Sequence, residues 1–297
     1  MGDTSIMKGD NDAVLDDHPG SIRALLRCPR GEVDVTSFDP AATPGFPGKG
    51  SSDSLKYLEA LKPTLDDLEE RLYANSIHTR GPSVLLVLQG MDGAGKGGTV
   101  RHVIGMIDPQ GVHLHAFKTP TKEELAHDFL WRVRKEVPGA GQVGIFDRSH
   151  YEDVLIGRVN KLAPDDEIES RYGRINDFEA ELASHGTRVI KCFLNVSKQA
   201  QKKRFLDRVN DPEKYYKFNP ADLESRSHWS EYMDAYSIAL SRCNADYAPW
   251  YVIPCDHKWY RNWAITRLLI EEIEAMGLTW PPADFDVDKA RQQVEAL

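Results

Sequence analysis

Nowhere in its 297 residues does the sequence approach the roughly 20 consecutive apolar residues that a membrane span requires, so no membrane segment is expected. The N-terminus has no apolar stretch either. Asp3, Asp10, Asp12, Asp16 and Asp17 crowd it, which argues against a secretory leader. Cysteine is scarce: Cys28, Cys192, Cys243 and Cys255 are scattered without C-x-x-C spacing. That argues against a zinc site or a disulfide framework and fits a reducing cytoplasm. Positive charge is also in deficit. The formal net charge of -9 argues against nucleic acid as a partner, because backbone binding needs clustered Lys and Arg. What remains is 41% hydrophobic and 28% charged, enough apolar material for a sizeable core.

The acidic average hides one basic stretch. Residues 198–217 hold seven cations (Lys198, Lys202, Lys203, Arg204, Arg208, Lys214, Lys217) against three acids, a local charge of +4. Charge alone makes this a solvated helix face. A phosphate-binding motif elsewhere would make it a patch for a small or linear polyanion.

Residues 1–53 are rich in Asp, Gly, Pro and Ser and read as an extended or partly disordered arm. Leu58, Leu61, Leu65, Leu68 and Leu72 then recur in steps of three and four, an amphipathic helix that packs on its own domain or serves as an interface. Val84 to Leu88 is a continuous apolar run, as in a strand buried on both faces. Further strands are expected at 112–116, 143–146, 189–194 and 251–253. Helices are expected after the Gly-rich turn through Ile107, at 122–136, at 165–184, at 198–209, from about Asp222, and through Trp263 to Ile273. Strands alternating with helices predict an α/β fold, a parallel sheet of about five strands with helices on both faces. One catalytic domain should span 54–280, followed by a polar tail, 281–297.

Between the first strand and its helix lies G-M-D-G-A-G-K-G, residues 90–97. It satisfies G-x-x-x-x-G-K in the required strand–turn–helix context. Gly90, Gly93, Ala94 and Gly95 let the backbone turn its N–H groups toward phosphate oxygens, the helix N-terminus adds partial positive charge, and Lys96 supplies an ammonium. The Ser or Thr that normally follows the lysine and ligates Mg²⁺ is absent; Gly97 stands there. A hard cation wants oxygen ligands. Asp92, inside the loop, is therefore expected to be a metal ligand, a proton acceptor for an attacking phosphate, or both. A second apolar strand ends in Asp147, the form of a Walker B element whose Asp holds Mg²⁺. Arg148 follows at once, placed to offset charge on a transferring group. His150 is either a structural hydrogen-bonding group or a catalytic one.

Three motifs in order, G-M-D-G-A-G-K (90–96), F-D-R-S-H-Y-E-D-V (146–154) and R-F-L-D-R-V-N-D-P-E-K-Y-Y-K-F (204–218), resemble the polyphosphate kinase 2 family over residues 55–280, with A-P-W-Y-V-I-P (248–254) and W-Y-R-N-W (259–263) in support. The resemblance implies a P-loop kinase fold with a helical lid at about 198–225. It also implies Mg²⁺-dependent (or Mn²⁺-dependent) phosphoryl transfer between inorganic polyphosphate and AMP or ADP, with GDP as a further acceptor. It carries catalysis onto Asp92, Lys96, Asp147 and Arg148, and phosphate binding onto Lys118, Arg204, Arg208 and Lys217. A homo-oligomer, dimer or tetramer, is expected. The Y-E-D-V and A-P-W-Y-V-I-P segments look closest to the subgroup that accepts both AMP and ADP. Two other readings compete: an ATP-dependent nucleoside monophosphate kinase on the same fold, and a nucleotide-binding switch or partner-binding module without catalysis.

Overall fold

The structure, a computed structural model, describes residues 20–77 and 81–297. Five strands form one parallel sheet in the order β2-β3-β1-β4-β5: β1 Ser83–Gln89, β2 Val112–Ala116, β3 Val143–Asp147, β4 Thr187–Asn195 and β5 Trp250–Pro254. All seven residues of β1 and all five of β5 are buried, which is why these strands read as unbroken apolar runs rather than alternating ones. The helices in chain order are α1 Ile22–Leu26, α2 Ser51–Ala74, α3 Lys96–His102, α4 Trp131–Arg134, α5 Ile156–Val159, α6 Asp165–Ser184, α7 Lys198–Val209, α8 Ala221–Ser227, α9 Trp229–Arg242, α10 Lys258–Glu274 and α11 Val287–Glu295. Among the described residues no helix is long and apolar enough to cross a membrane.

Because the strands are parallel, their C-terminal ends share one edge of the sheet. Leu88 pairs with Asp147, so the loop after β1 and the acid at the end of β3 lie side by side. Strand order reverses at β1, where ligands of open α/β sheets bind.

Two expectations need correction. The segment 20–50 is packed, though it has little regular structure. Ile22, Leu26, Cys28, Val33 and Val35 are buried. Arg27 bridges to Tyr251 and Cys28 N–H donates to Trp250 O (2.8 Å), which covers the open edge of β5. Side chains of the domain receive its backbone: Val33 N–H donates to Ser241 Oγ and Val35 N–H to Ser237 Oγ. Composition read this segment as an arm because its partners lie more than 200 positions away. Residues 1–19 of that expectation lie outside the described residues. Second, the helix expected at 122–136 is only a 3-10 turn, Glu124–Ala126, followed by the four-residue α4. Asp128 breaks it: its side chain accepts from Leu130 N–H and its carbonyl from Trp131 N–H, restarting the chain. The polar tail carries a helix, α11, with no buried residue. The leucine-rich helix packs on its own domain, with Leu65, Leu68 and Leu72 buried.

Candidate active site

The loop after β1 closes through left-handed backbone at Gly93 (φ 80°) and Gly95 (φ 116°). A side chain at Gly95 would be strained by that φ and would also collide with the Arg261 guanidinium. Lys96 folds back over the loop: Nζ donates to Gly90 O (2.6 Å) and lies 3.8 Å from Asp92 Oδ1. Gly97 sits in the first turn of α3 and lines the cavity. Thr99 does not replace the missing ligand; it is buried and its hydroxyl donates to Gly95 O (3.3 Å).

Asp92 meets Arg148 Nη2 at 2.8 Å, through the same Oδ1. Burial pushes the Asp92 carboxyl up, but Lys96, Arg148 and Arg208 together outweigh it and hold it below the usual carboxylate range. Arg148 has a left-handed backbone (φ 64°), uncommon for a side chain of this size. Its N–H donates to Leu88 O (3.1 Å), which ties the turn to β1 and directs the guanidinium across the loop. Burial alone would make that guanidinium easier to deprotonate; Glu152, Asp92 and Asp147 reverse the effect and keep it charged.

A cavity of about 630 Å³ opens over the loop. Lys96, Arg101, Lys118, Arg148, Arg208 and Lys217 line it, together with Asp92, Asp147 and Asp222. A smaller space of about 230 Å³ continues from it past Arg148 and Glu152 to Tyr232 and Tyr236. Arg208 is steered by Asp222 Oδ2 (3.2 Å) and Lys217 O (3.1 Å), so two parts of the basic segment are folded onto one another. Burial, then the Asp92 charge, raises the Asp222 carboxyl.

The charged residues taken from the sequence therefore converge on this cavity, with one exception. Arg204 does not face the cavity. Its Nη1 donates to Gly93 O (2.7 Å) and Ala94 O (2.9 Å), and its Nη2 to the carbonyls of Cys255 and Asp256. It is a brace beneath the loop, one helical turn before Arg208 on the same side of α7, and it meets loop carbonyls where Arg208 meets the cavity. Gln201, also on α7, donates to Asp92 O (2.7 Å). The first two turns of α7 are thus fastened to the loop, and only the chain beyond them is free of it.

Several contributors were missed. Arg261 lies under the same loop, 3% exposed, with its guanidinium against Asn262 Oδ1 (2.8 Å) and Ala94 O (3.5 Å). Burial lowers it to about 10, since no carboxylate answers its charge. W-Y-R-N-W was visible as a motif, but nothing local says its Arg points at residue 94. Glu152 is held by Gln89, whose Nε2 donates to Glu152 Oε1 (2.9 Å) while its Oε1 accepts from Ser149 N–H and Oγ–H (2.9 Å each). Burial raises the Glu152 carboxyl, and Arg148 and Lys96 only partly offset this. His150 is structural. It is fully buried, with Nε2 3.2 Å from Glu179 Oε1, and Glu179 also accepts from Tyr151 OH (2.8 Å) and Lys191 Nζ (2.6 Å). This buried network anchors the turn that carries Arg148.

The donor set suits a hard cation. Asp92 and Asp147 offer carboxylate oxygens facing one cavity, and both cations near Asp92 occupy Oδ1 rather than Oδ2. No group of three or more His, Cys, Asp or Glu among the described residues forms a closed metal cage. Mg²⁺ is commonly held this way, by one or two carboxylates with phosphates and water completing the shell.

A phosphate loop at the reversal point of a parallel sheet, an acid beside it and cations above it define a P-loop phosphotransferase of the nucleotide-kinase kind. The chain belongs to the polyphosphate kinase 2 family, whose model matches residues 53–279. It is 43% identical to an AMP/ADP-polyphosphate phosphotransferase of Meiothermus ruber, over 88% of this chain and 96% of that one. It is 39% identical to an ADP-polyphosphate phosphotransferase of Rhodopseudomonas palustris, over 84% and 89%. A crystal structure of polyphosphate kinase 2 from Arthrobacter aurescens superimposes with a TM-score of 0.89 at 46% identity, covering 93% of this chain and 97% of that one.

Proposed function

We infer that the protein transfers phosphoryl groups between inorganic polyphosphate and a nucleoside mono- or diphosphate, AMP and ADP first, with GDP as a further acceptor. The observation that carries this reading is the cavity over the phosphate loop. Its six cations against three acids suit two polyanions meeting end to end, more than one nucleotide alone. Relatives named for polyphosphate transfer to AMP or ADP support the same substrates.

The acceptor's terminal phosphate oxygen forms a bond to the end phosphorus of polyphosphate. The bond from that phosphorus to the next bridging oxygen breaks, and the shortened chain leaves with the electron pair. Lys96 and the backbone N–H groups of 90–97 hold the transferred group. Arg148, beside Asp92, offsets charge as the loose transition state spreads it over the equatorial oxygens. Lys118, Arg208 and Lys217 hold the rest of the chain. Arg204 and Arg261 keep the loop carbonyls turned away from the phosphates. Mg²⁺ (or Mn²⁺) held by Asp92 and Asp147 would neutralise phosphate charge and draw the two anions together. Assembly as a homodimer or homotetramer in the cytoplasm completes the proposal, with no role for nucleic acid.

One assay tests it. Purified protein is incubated with Mg²⁺, ADP or AMP, and either polyphosphate or ATP, and the nucleotides are separated by chromatography. ATP formed from ADP only when polyphosphate is present supports the proposal, provided ADP disproportionation is excluded. AMP phosphorylated only by ATP would reassign the protein as a nucleoside monophosphate kinase. No transfer with any donor would leave a nucleotide-binding module.

A further inference from the structure

At the far end of the sheet from the phosphate loop, just before β2 begins, lies a second pocket of about 270 Å³. Glu69, Glu70 and Tyr73 of α2 form one wall, Asp108 and Gln110 another, and Trp280 closes it. Glu69 is only 2% exposed. Among the described residues it has no hydrogen-bond or ion-pair partner. Its carboxylate reaches the α-carbon of Gly111 at the pocket wall, where any larger residue would overlap Oε1. Burial raises its carboxyl to about 7, reinforced by Asp108 from the facing turn and by Asp66 and Glu70 from α2, all of them acids.

A nearly buried carboxylate beside other acids is unfavourable unless it takes up a proton or a cation answers it. We propose that this pocket binds an alkylammonium group, supplied either by a free diamine or by a lysine of a second copy of this chain. A divalent metal suits it less, since no three His, Cys, Asp or Glu groups converge as ligands among the described residues. The aromatic walls point the same way. Tyr73 and Trp280 offer π-surface that attracts an ammonium and accommodates its methylenes.

The test uses the full-length protein without polyphosphate, which would itself bind amines. Calorimetric titration with 1,5-diaminopentane is compared for the wild type, Glu69→Gln and Trp280→Ala, with MgCl₂ as a second probe, and light scattering reads the oligomeric state. Saturable binding of one diamine per chain is expected, weakened about tenfold or more in Glu69→Gln. Affinity should be roughly tenfold higher at pH 8 than at pH 6, as the Glu69 carboxyl loses its proton while the diamine keeps both of its own. Binding that leaves the molecular mass unchanged assigns the site to a free amine. A mass that falls on adding diamine, or in Glu69→Gln, assigns it to a lysine of a second copy. Phosphotransfer and the circular dichroism spectrum serve as folding controls, because Glu69→Gln removes charge and not shape. The proposal is overturned if diamine shows no saturable binding and Glu69→Gln leaves the mass unchanged, if Glu69→Gln and wild type bind alike, or if MgCl₂ alone reproduces the Glu69-dependent heat.

Discussion

Both faces of the phosphate loop carry arginine, and the two sets are built differently. In front, Arg148 and Arg208 face the cavity and each is steered by a carboxylate, Asp92 and Asp222. Behind, Arg204 and Arg261 are buried and meet carbonyls or an amide oxygen in place of a carboxylate. The front cations are partly exposed and held by carboxylates, suited to a ligand that comes and goes. The rear ones are fixed donors that hold the loop's carbonyls back so that its N–H groups point forward. Their uncompensated charge also adds to the field at the loop, where a bound phosphate would answer it.

The largest expected effect lies in front. Asp92→Asn should lower kcat by about 10³-fold or more, roughly 4 kcal/mol of transition-state stabilisation, with the circular dichroism spectrum unchanged. Turnover near the wild-type level would remove Asp92 from the metal and charge-balancing role. Next comes the rear face. Arg261→Met should cost roughly 2–3 kcal/mol of stability, because Ala94 O and Asn262 Oδ1 lose a buried donor, and should lower kcat about tenfold while KM for polyphosphate moves less than threefold. Arg261→Lys should restore part of the activity. A variant that raises KM without altering melting would place Arg261 in contact with substrate and dissolve the distinction between the faces.

Arg208→Met should do the opposite: raise KM for polyphosphate about tenfold, change melting little, and flatten the dependence of KM on salt, since one screened contact to a polyanion is gone. Equal salt slopes in wild type and variant would exclude Arg208 from the chain-binding track.

This contrast also marks what could be read in the sequence. Strands and motifs were legible because their signals are local: β1 is one apolar run, G-x-x-x-x-G-K follows it, and Asp147 ends β3. The front residues were found for the same reason. Arg204 was expected at the phosphates from the resemblance, and a basic segment does not show which of its turns lies under the loop; Phe205 beside it was the available hint, being buried with it. Arg261 and Glu152 depend on contacts across 167 and 63 positions respectively, to Ala94 and Gln89, and no spacing rule reaches that far. The packing of segment 20–50 was hidden likewise, its apolar residues being too few and too irregular to announce a strand or helix.

Carboxylates repeat the contrast at opposite ends of the sheet, and the smallest effect tests it. Asp92 is held low by Lys96, Arg148 and Arg208, whereas Glu69 is pushed up by burial and by neighbouring acids. Linkage gives the two opposite signs. A carboxyl lowered by folding stabilises the protein above its unfolded value, and that contribution is lost as pH falls through the folded one. A carboxyl raised by folding stabilises below its unfolded value, and that contribution is lost as pH rises through the folded one, about 7 for Glu69. Glu69→Gln should therefore gain on the wild type between pH 5 and pH 8, by roughly 1–2 kcal/mol or a few degrees of melting temperature in an amine-free buffer. Parallel melting curves across that range would mean that Glu69 is charged and satisfied throughout. Convergence of the two proteins on adding diamine at pH 8 would show the missing counter-charge being supplied, because a bound ammonium returns to wild type the stability that the neutral side chain has without it.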